Sequence, residues 1–163
     1  MGDHLANVAA ARSEPQESDL FGRSAFNRYY YSAFLNVRAA LKHLDPKWAS
    51  PSHQSVPETL KGEVIERVRR QVKAWKKSGQ ITEGEGSRLY SAAATAATEL
   101  SNLLSSAREI RRLADYEPEV LVIKSGCTLQ LGQCALTTAK NWEQRVDIQA
   151  KAIMKIYDRL GLT

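Results

Sequence analysis

The sequence has few of the residues from which most enzymes build metal or nucleophilic sites. Its 163 residues include two cysteines and three histidines. The histidines (His4, His43 and His53) are too scattered for a metal cluster, and the cysteines (Cys127 and Cys134) have no metal or redox spacing. A Gly-rich phosphate loop, a His-Glu-x-x-His motif and a nucleophile with a recognisable base are also absent. We therefore expect neither a metal nor a cofactor.

Long apolar runs are missing as well. No run approaches the ~20 residues needed to span a bilayer. The polar N-terminus lacks the basic segment and apolar core of a secretory signal. Hydrophobic residues make up 43% of the chain and charged residues 25%, as is usual for globular proteins. We expect a cytoplasmic protein with no membrane contact.

The strongest helical pattern lies in residues 23–44. Apolar or small residues recur there in steps of three and four, at Phe21, Ala25, Tyr29, Ala33, Val37, Leu41 and Leu44. Asp45-Pro46 predicts the end of this helix, because the residue before a proline disfavours helical backbone. Ser18 or Asp19 is predicted to cap its start. Residues 1–18 would then be an arm or a weak helix, and residues 19–163 a single bundle.

Three further long helices are predicted. A loop over 45–57 precedes a helix from Pro57, whose buried stripe is Leu60, Val64, Val68, Val72 and Trp75. A third helix runs from Thr82 or Glu83 to Tyr116. Residues 120–126 form either an extended link or the lip of a last helix over 129–160. Helical placement would put Cys127 and Cys134 on one face as small core residues. The prediction is an all-α, up-and-down bundle of four to five long helices.

Positive charge is concentrated in the second helix. Residues 61–77 hold seven basic and two acidic residues, a net charge of +5 that equals the charge of the whole chain. One side of this helix carries Arg69, Arg70, Lys73, Lys76 and Lys77. Such a face is either a solvated surface or a contact for nucleic-acid phosphates.

A second charged cluster closes the third helix. Arg108, Arg111, Arg112 and Asp115 fall within about a third of the helix circumference at 3.6 residues per turn. One hypothesis is that these four residues, together with Arg28 and Tyr116, bind a nucleotide or an RNA phosphate. The alternative is a buried polar network in which Arg28, Asp115 and the tyrosines join the first and third helices, since buried arginines need such partners.

Two motifs resemble the HEPN (higher eukaryotes and prokaryotes nucleotide-binding) domain. They are RYYYSAF at 28–34 and RRLADY at 111–116, and the resemblance spans about residues 20–120. It implies a helical bundle, dimerisation and a role near nucleotides or RNA. Family members include metal-independent ribonucleases, toxins paired with nucleotidyltransferase antitoxins, and anti-phage defence proteins.

The catalytic motif of that family, an arginine followed four to six residues later by a histidine, is absent from the end of the third helix. The one match is Arg38 with His43. Side chains five residues apart on an α-helix point about 140° apart, so one site would need a dimer interface or an early helix end. Tyr31, Leu35 and Arg38 lie on the outward side of the first helix and are predicted to contact another chain.

Three hypotheses follow. The first is a non-catalytic, dimerising HEPN-like subunit that associates with RNA or nucleotides in a bacterial toxin–antitoxin or anti-phage defence system. Its partners would be a second copy or a larger complex, with a nucleotidyltransferase antitoxin or a defence-system subunit. The second is a metal-independent ribonuclease toxin. The third is a structural bundle that only binds other proteins.

Overall fold

The computed structural model describes residues 1–125 and 128–163, and most of them are helical. The helices are α1 (Gly2–Ala11), α2 (Pro15–Leu44), α3 (Ser55–Thr59), α4 (Ile65–Lys77), α5 (Glu83–Tyr116), α6 (Leu136–Lys140) and α7 (Trp142–Arg159). A 3₁₀ turn covers Pro46–Trp48 and a π-helical turn covers Leu60–Val64. The strands are β1 (Val122–Ser125), β2 (Thr128–Leu131) and β3 (Cys134–Ala135). The predicted helical class is confirmed, with a small sheet in addition.

No helix within the described ranges combines the length and the apolar character needed to cross a membrane.

The N-terminal boundaries differ from the prediction. α1 is a helix that packs against α2, and α2 begins at Pro15 instead of after Ser18. Proline suits the first turn of a helix because its missing N–H has no helical partner there. The buried Ser18 hydroxyl donates to the Ala9 carbonyl at 2.9 Å, so it joins the two helices instead of capping α2. Asp3 adds a polar contact, because it accepts from the Tyr29 hydroxyl at 2.8 Å.

The loop predicted over 45–57 is shorter than expected. Asp45 caps the 3₁₀ turn by accepting from the Lys47 N–H, and the next helix starts at Ser55 instead of Pro57. α2 ends at Leu44, as predicted.

The predicted last helix is wrong over its first part. Residues 128–131 form β2, which pairs antiparallel with β1 on one side and with β3 on the other. Gly132 makes the β2–β3 turn possible with a φ of +56°, a value that favours glycine. Helical structure returns only at Leu136. Cys134 therefore lies in a strand, where burial raises its pKa to about 11; Cys127 lies outside the described residues.

The chain forms two compact units. The first holds Met1–Leu35 with Leu104–Arg145, and the second holds Asn36–Leu103 with Val146–Thr163.

In the first unit, aromatic side chains of α2 are buried next to the end of α5. Tyr30 stacks on Phe34 with ring centroids 6.1 Å apart and meets Tyr31 edge-on at 5.6 Å. Arg23, which the sequence analysis did not single out, anchors the chain that leaves α5. It pairs with Asp19 at 2.8 Å and donates to five backbone carbonyls, those of Leu113, Ala114, Glu117, Pro118 and Val120.

In the second unit, the predicted stripe of the second helix is confirmed for its aliphatic members: Leu60, Val64, Val68 and Val72 are buried, whereas Trp75 is only half-buried. Two polar side chains from other helices donate hydrogen bonds to backbone carbonyls in residues 55–64. Ser101 of α5 donates to the Pro57 carbonyl at 3.4 Å, and the buried Tyr157 of α7 donates to the Val64 carbonyl at 2.9 Å. These bonds join α5 to α3 at Pro57 and α7 to the π-helical turn at Val64.

Candidate functional site

The strongest candidate site is a groove between α4 and the first turns of α5. α5 starts with a capping box: the Thr82 N–H donates to the Glu85 carboxylate at 3.1 Å, and the Glu85 N–H donates to the Thr82 hydroxyl at 3.2 Å. The turn before it contains Gly79 at a φ of +71°. These local signals fix where α5 begins, and so which of its side chains face α4.

The groove has a volume of about 640 Å³. Its lining residues are Arg69, Val72, Lys73 and Lys76 of α4 and Glu83, Gly86, Ser87, Tyr90 and Ser91 of α5. Gly86 allows the two helices to come close, because a Cβ at this position would lie 2.2 Å from Lys76 Cε and 2.9 Å from Val72 Cγ1. The groove thus combines three cations, one carboxylate and three hydroxyl-bearing side chains.

Ion pairs organise the cations of this groove. Glu66 accepts from Arg69 at 2.8 and 3.0 Å and lies 3.5 Å from Arg70. The hydrogen bond to Glu66 and its negative charge raise the pKa of Arg69, with a smaller contribution from the nearby Tyr90 phenol. Lys76 pairs with Glu83 at 2.6 Å.

The structure places three of the five predicted basic residues in one depression. Arg69, Lys73 and Lys76 line the groove, whereas Arg70 and Lys77 are exposed on α4 and are not among its lining residues. Sequence reasoning missed the contribution of α5. Ser87, Tyr90 and Ser91 are spaced three and four residues apart, which places them on one helical face, but nothing in the sequence indicates that this face meets the basic side of α4.

The charged cluster at the end of α5 is organised around Arg111. Its guanidinium lies between two aromatic rings, 5.7 Å from the Tyr31 centroid and 5.6 Å from the Tyr116 centroid, and pairs with Asp115 at 2.6 Å. Burial opposes the charge of Arg111, but Asp115 and the two phenols outweigh it and raise the pKa of this guanidinium. Burial also raises the pKa of Tyr30 to about 12, although the charge of Arg111 opposes the shift.

The predicted network between the first and third helices has a different member. Asp115 accepts a 2.5 Å hydrogen bond from Asn27, whereas the neighbouring Arg28 is exposed. This hydrogen bond connects α2 with the end of α5. The hypothesis of a polar network is therefore supported for Asp115 and wrong for Arg28.

The other two arginines of this cluster differ in exposure. Arg112 is half exposed and pairs with Glu109 at 3.1 Å and with Glu117. Arg108 is partly buried, and its charge acts on Tyr30. Tyr116 is 67% exposed, so the open side of this cluster presents an aromatic ring.

Arg38 and His43 line different surfaces. The Arg38 guanidinium donates to the Ala49 carbonyl at 3.4 Å. His43 is exposed and lines a separate depression of about 340 Å³ together with Asp147 and Lys151, among others; Arg38 is not part of it. This placement agrees with the 140° separation expected for side chains five residues apart on a helix.

The predicted contact surface on α2 is partly exposed. Leu35 is 53% exposed, while Tyr31 and Arg38 are half-buried.

Among the described residues, no three histidine, cysteine or acidic side chains lie close enough to hold a metal ion. No protein-family model matches this chain, and neither a curated protein nor a solved structure matches it.

Proposed function

We propose that this protein is a non-catalytic, HEPN-like subunit that associates with RNA through the groove between α4 and α5. The observation that carries the proposal is the meeting of Arg69, Lys73 and Lys76 in one depression with a single lining carboxylate, Glu83. Contacts between basic side chains and phosphates supply the sequence-independent part of nucleic-acid affinity. The basic residues also lie in a depression of about 640 Å³, and a concave surface binds a ligand better than a flat one.

The distribution of charge supports the same proposal. The net charge of +5 equals that of residues 61–77, so the electrostatic attraction for a polyanion is centred on α4. The ion pair between Lys76 and Glu83 is compatible with binding, because most of Glu83 is exposed and a phosphate can take its place.

The composition of the Arg111 cluster supports a non-catalytic role. General acid–base cleavage of RNA needs a group that exchanges a proton near neutral pH, and histidine is the usual choice. The residues around Arg111 are instead Tyr31, Tyr116 and Asp115, none of which is a histidine. Arg111 is also engaged by all three.

The role in a bacterial toxin–antitoxin or anti-phage defence system belongs to the same proposal. Its basis is the resemblance of residues 28–34 and 111–116 to the HEPN motifs. Dimerisation is proposed through the outward side of α2, where Leu35 is 53% exposed. Light scattering after gel filtration tests it: a dimer that Leu35→Glu converts to a monomer is expected, and a wild-type monomer at high concentration would count against it.

RNA binding is tested with fluorescently labelled RNA of several sequences at fixed salt. Lys73→Ala is expected to weaken binding to every sequence by a similar factor, because a phosphate contact carries no sequence information. The matched control is Lys155→Ala, which removes an exposed lysine of α7 outside the groove. Equal affinities for wild type and Lys73→Ala would refute the role of the groove.

The ribonuclease alternative is tested with the same preparations. Wild-type protein incubated with transfer RNA and total RNA is expected to leave both intact. Cleavage that His43→Ala abolishes would overturn the non-catalytic proposal and favour a site around that histidine.

A further inference from the structure

The groove between α4 and α5 has an aromatic wall as well as a basic one. Tyr90 is 36% exposed and lines it opposite the cations of α4, one helical turn beyond Ser87. An exposed tyrosine ring beside several cations is the combination by which proteins hold unpaired nucleotides, with the base on the ring and the phosphate on the cations.

We infer that this groove holds one unpaired nucleotide of an RNA strand, with its base stacked on Tyr90 and its phosphate bound by Arg69, Lys73 and Lys76. The inference deepens the proposed function and rests on it, because it names single-stranded RNA as the ligand class. Contacts to the phosphates alone would not distinguish single-stranded RNA from a duplex, because both carry phosphates.

The geometry of the groove supports this assignment. Its volume of about 640 Å³ lies within the range of sites for small organic molecules, about 300–1,000 Å³. A duplex keeps its bases stacked inside and offers a surface groove mainly phosphates and sugars. Only an unpaired nucleotide can place a base against Tyr90 while its phosphate reaches α4.

The two chemical parts of the groove are close to each other. Arg69 of α4 and Tyr90 of α5 lie on different helices and line the same groove. Lys76 reaches across to α5, where its ammonium lies 2.6 Å from the Glu83 carboxylate and 3.5 Å from the Ser87 hydroxyl. The Lys76 ammonium therefore lies at the α5 wall, one helical turn from Tyr90.

Abasic RNA provides the test. Wild-type protein is titrated with a 15-nucleotide single strand, with the same strand containing abasic sugars, and with a hairpin duplex of equal charge. The abasic strand is expected to bind about tenfold more weakly than the intact strand, since stacking on one aromatic ring is worth roughly this factor. Equal binding of the intact and abasic strands by wild-type protein would overturn the inference.

Variants then assign the effect to the ring. Tyr90→Leu keeps the bulk of the side chain without its aromatic face, and it should bind the intact strand as weakly as the abasic one. Tyr90→Phe should behave as wild type. Duplex affinity should be the same for all three proteins, and circular dichroism confirms that each is folded. Discrimination against the abasic strand that persists in Tyr90→Leu would also overturn the inference.

This design separates the inference from the proposed function. If Lys73→Ala weakens binding of every ligand while Tyr90→Leu changes none, the groove binds phosphates and the stacking site is refuted. If wild-type protein binds none of the RNAs, both are refuted.

Discussion

Replacement of Arg23 should strongly destabilise the first unit. Its side chain is 12% exposed and that of its partner Asp19 is 18% exposed. The guanidinium donates to five carbonyls at and beyond the C-terminus of α5, at distances of 2.5–3.2 Å. The last carbonyls of a helix have no partner within the helix, and a cation at this end also opposes the negative pole of the helix dipole.

The expected cost of Arg23→Ala is about 3–5 kcal/mol, the usual range for removing one partner of a mostly buried ion pair. Asp19 would lose its cation, although it would still accept from the Val122 N–H at 2.7 Å. At about 2–4 °C per kcal/mol for a chain of this size, the thermal midpoint should fall by roughly 6–20 °C.

Urea denaturation followed by circular dichroism measures the effect. The matched control is Arg112→Ala, since Arg112 also lies in an ion-pair cluster at the end of α5 but is 51% exposed. Exposed pairs contribute about 0–1 kcal/mol, so this control should change the free energy of unfolding little. Arg23→Lys should recover only part of the loss, because an ammonium cannot reproduce the planar fork. Equal losses for Arg23→Ala and Arg112→Ala would refute the reasoning.

Two further predictions concern the second unit. Tyr157→Phe should lower the free energy of unfolding by about 0.5–1.5 kcal/mol, because the hydrogen bond from the buried Tyr157 hydroxyl to the Val64 carbonyl is lost; unchanged stability in urea would contradict this. The Lys47 N–H and then the charge of Arg67 lower the pKa of Asp45 below its usual 3.8. The charged carboxylate therefore stabilises the fold above about pH 4, and this contribution is lost as the pH falls through the lowered pKa. Asp45→Asn should flatten the acid limb of the stability profile measured by urea titrations between about pH 5 and 2, and an equally steep limb in the variant would count against it.

Helical periodicity was the part of the fold that the sequence made predictable. The burial of Val64, Val68 and Val72 follows from helical spacing, and the end of α2 at Leu44 follows from the proline at position 46. The start of α5 also has a local signal in the sequence, because a threonine followed three residues later by a glutamate forms its capping box.

The small sheet could not be predicted in the same way. β2 is four residues long, too short for strand alternation to outweigh the helical pattern that follows it. Its pairing with β1 is a tertiary contact. The positive φ of Gly132 could not be predicted either, because glycine adopts positive and negative φ values and the strands on both sides of it determine which one occurs.

The candidate site was also predictable only where it depends on a single helix. The basic row of α4 was predicted because its members share one helix face. The position of Tyr90 in the groove was not predicted, because it depends on the approach of a second helix, which Gly86 permits. The anchoring role of Arg23 is nonlocal in the same sense: its acceptors lie about ninety residues further along the chain.

We propose that the cations between α4 and α5 bind RNA phosphates. This proposal is tested by measuring how RNA affinity depends on salt concentration for wild-type protein and for Lys73→Ala. The affinity should fall as the salt concentration rises, and the logarithmic slope should be smaller by about one in the variant because one phosphate contact is lost. An affinity that does not depend on salt, or the same slope in both proteins, would contradict it.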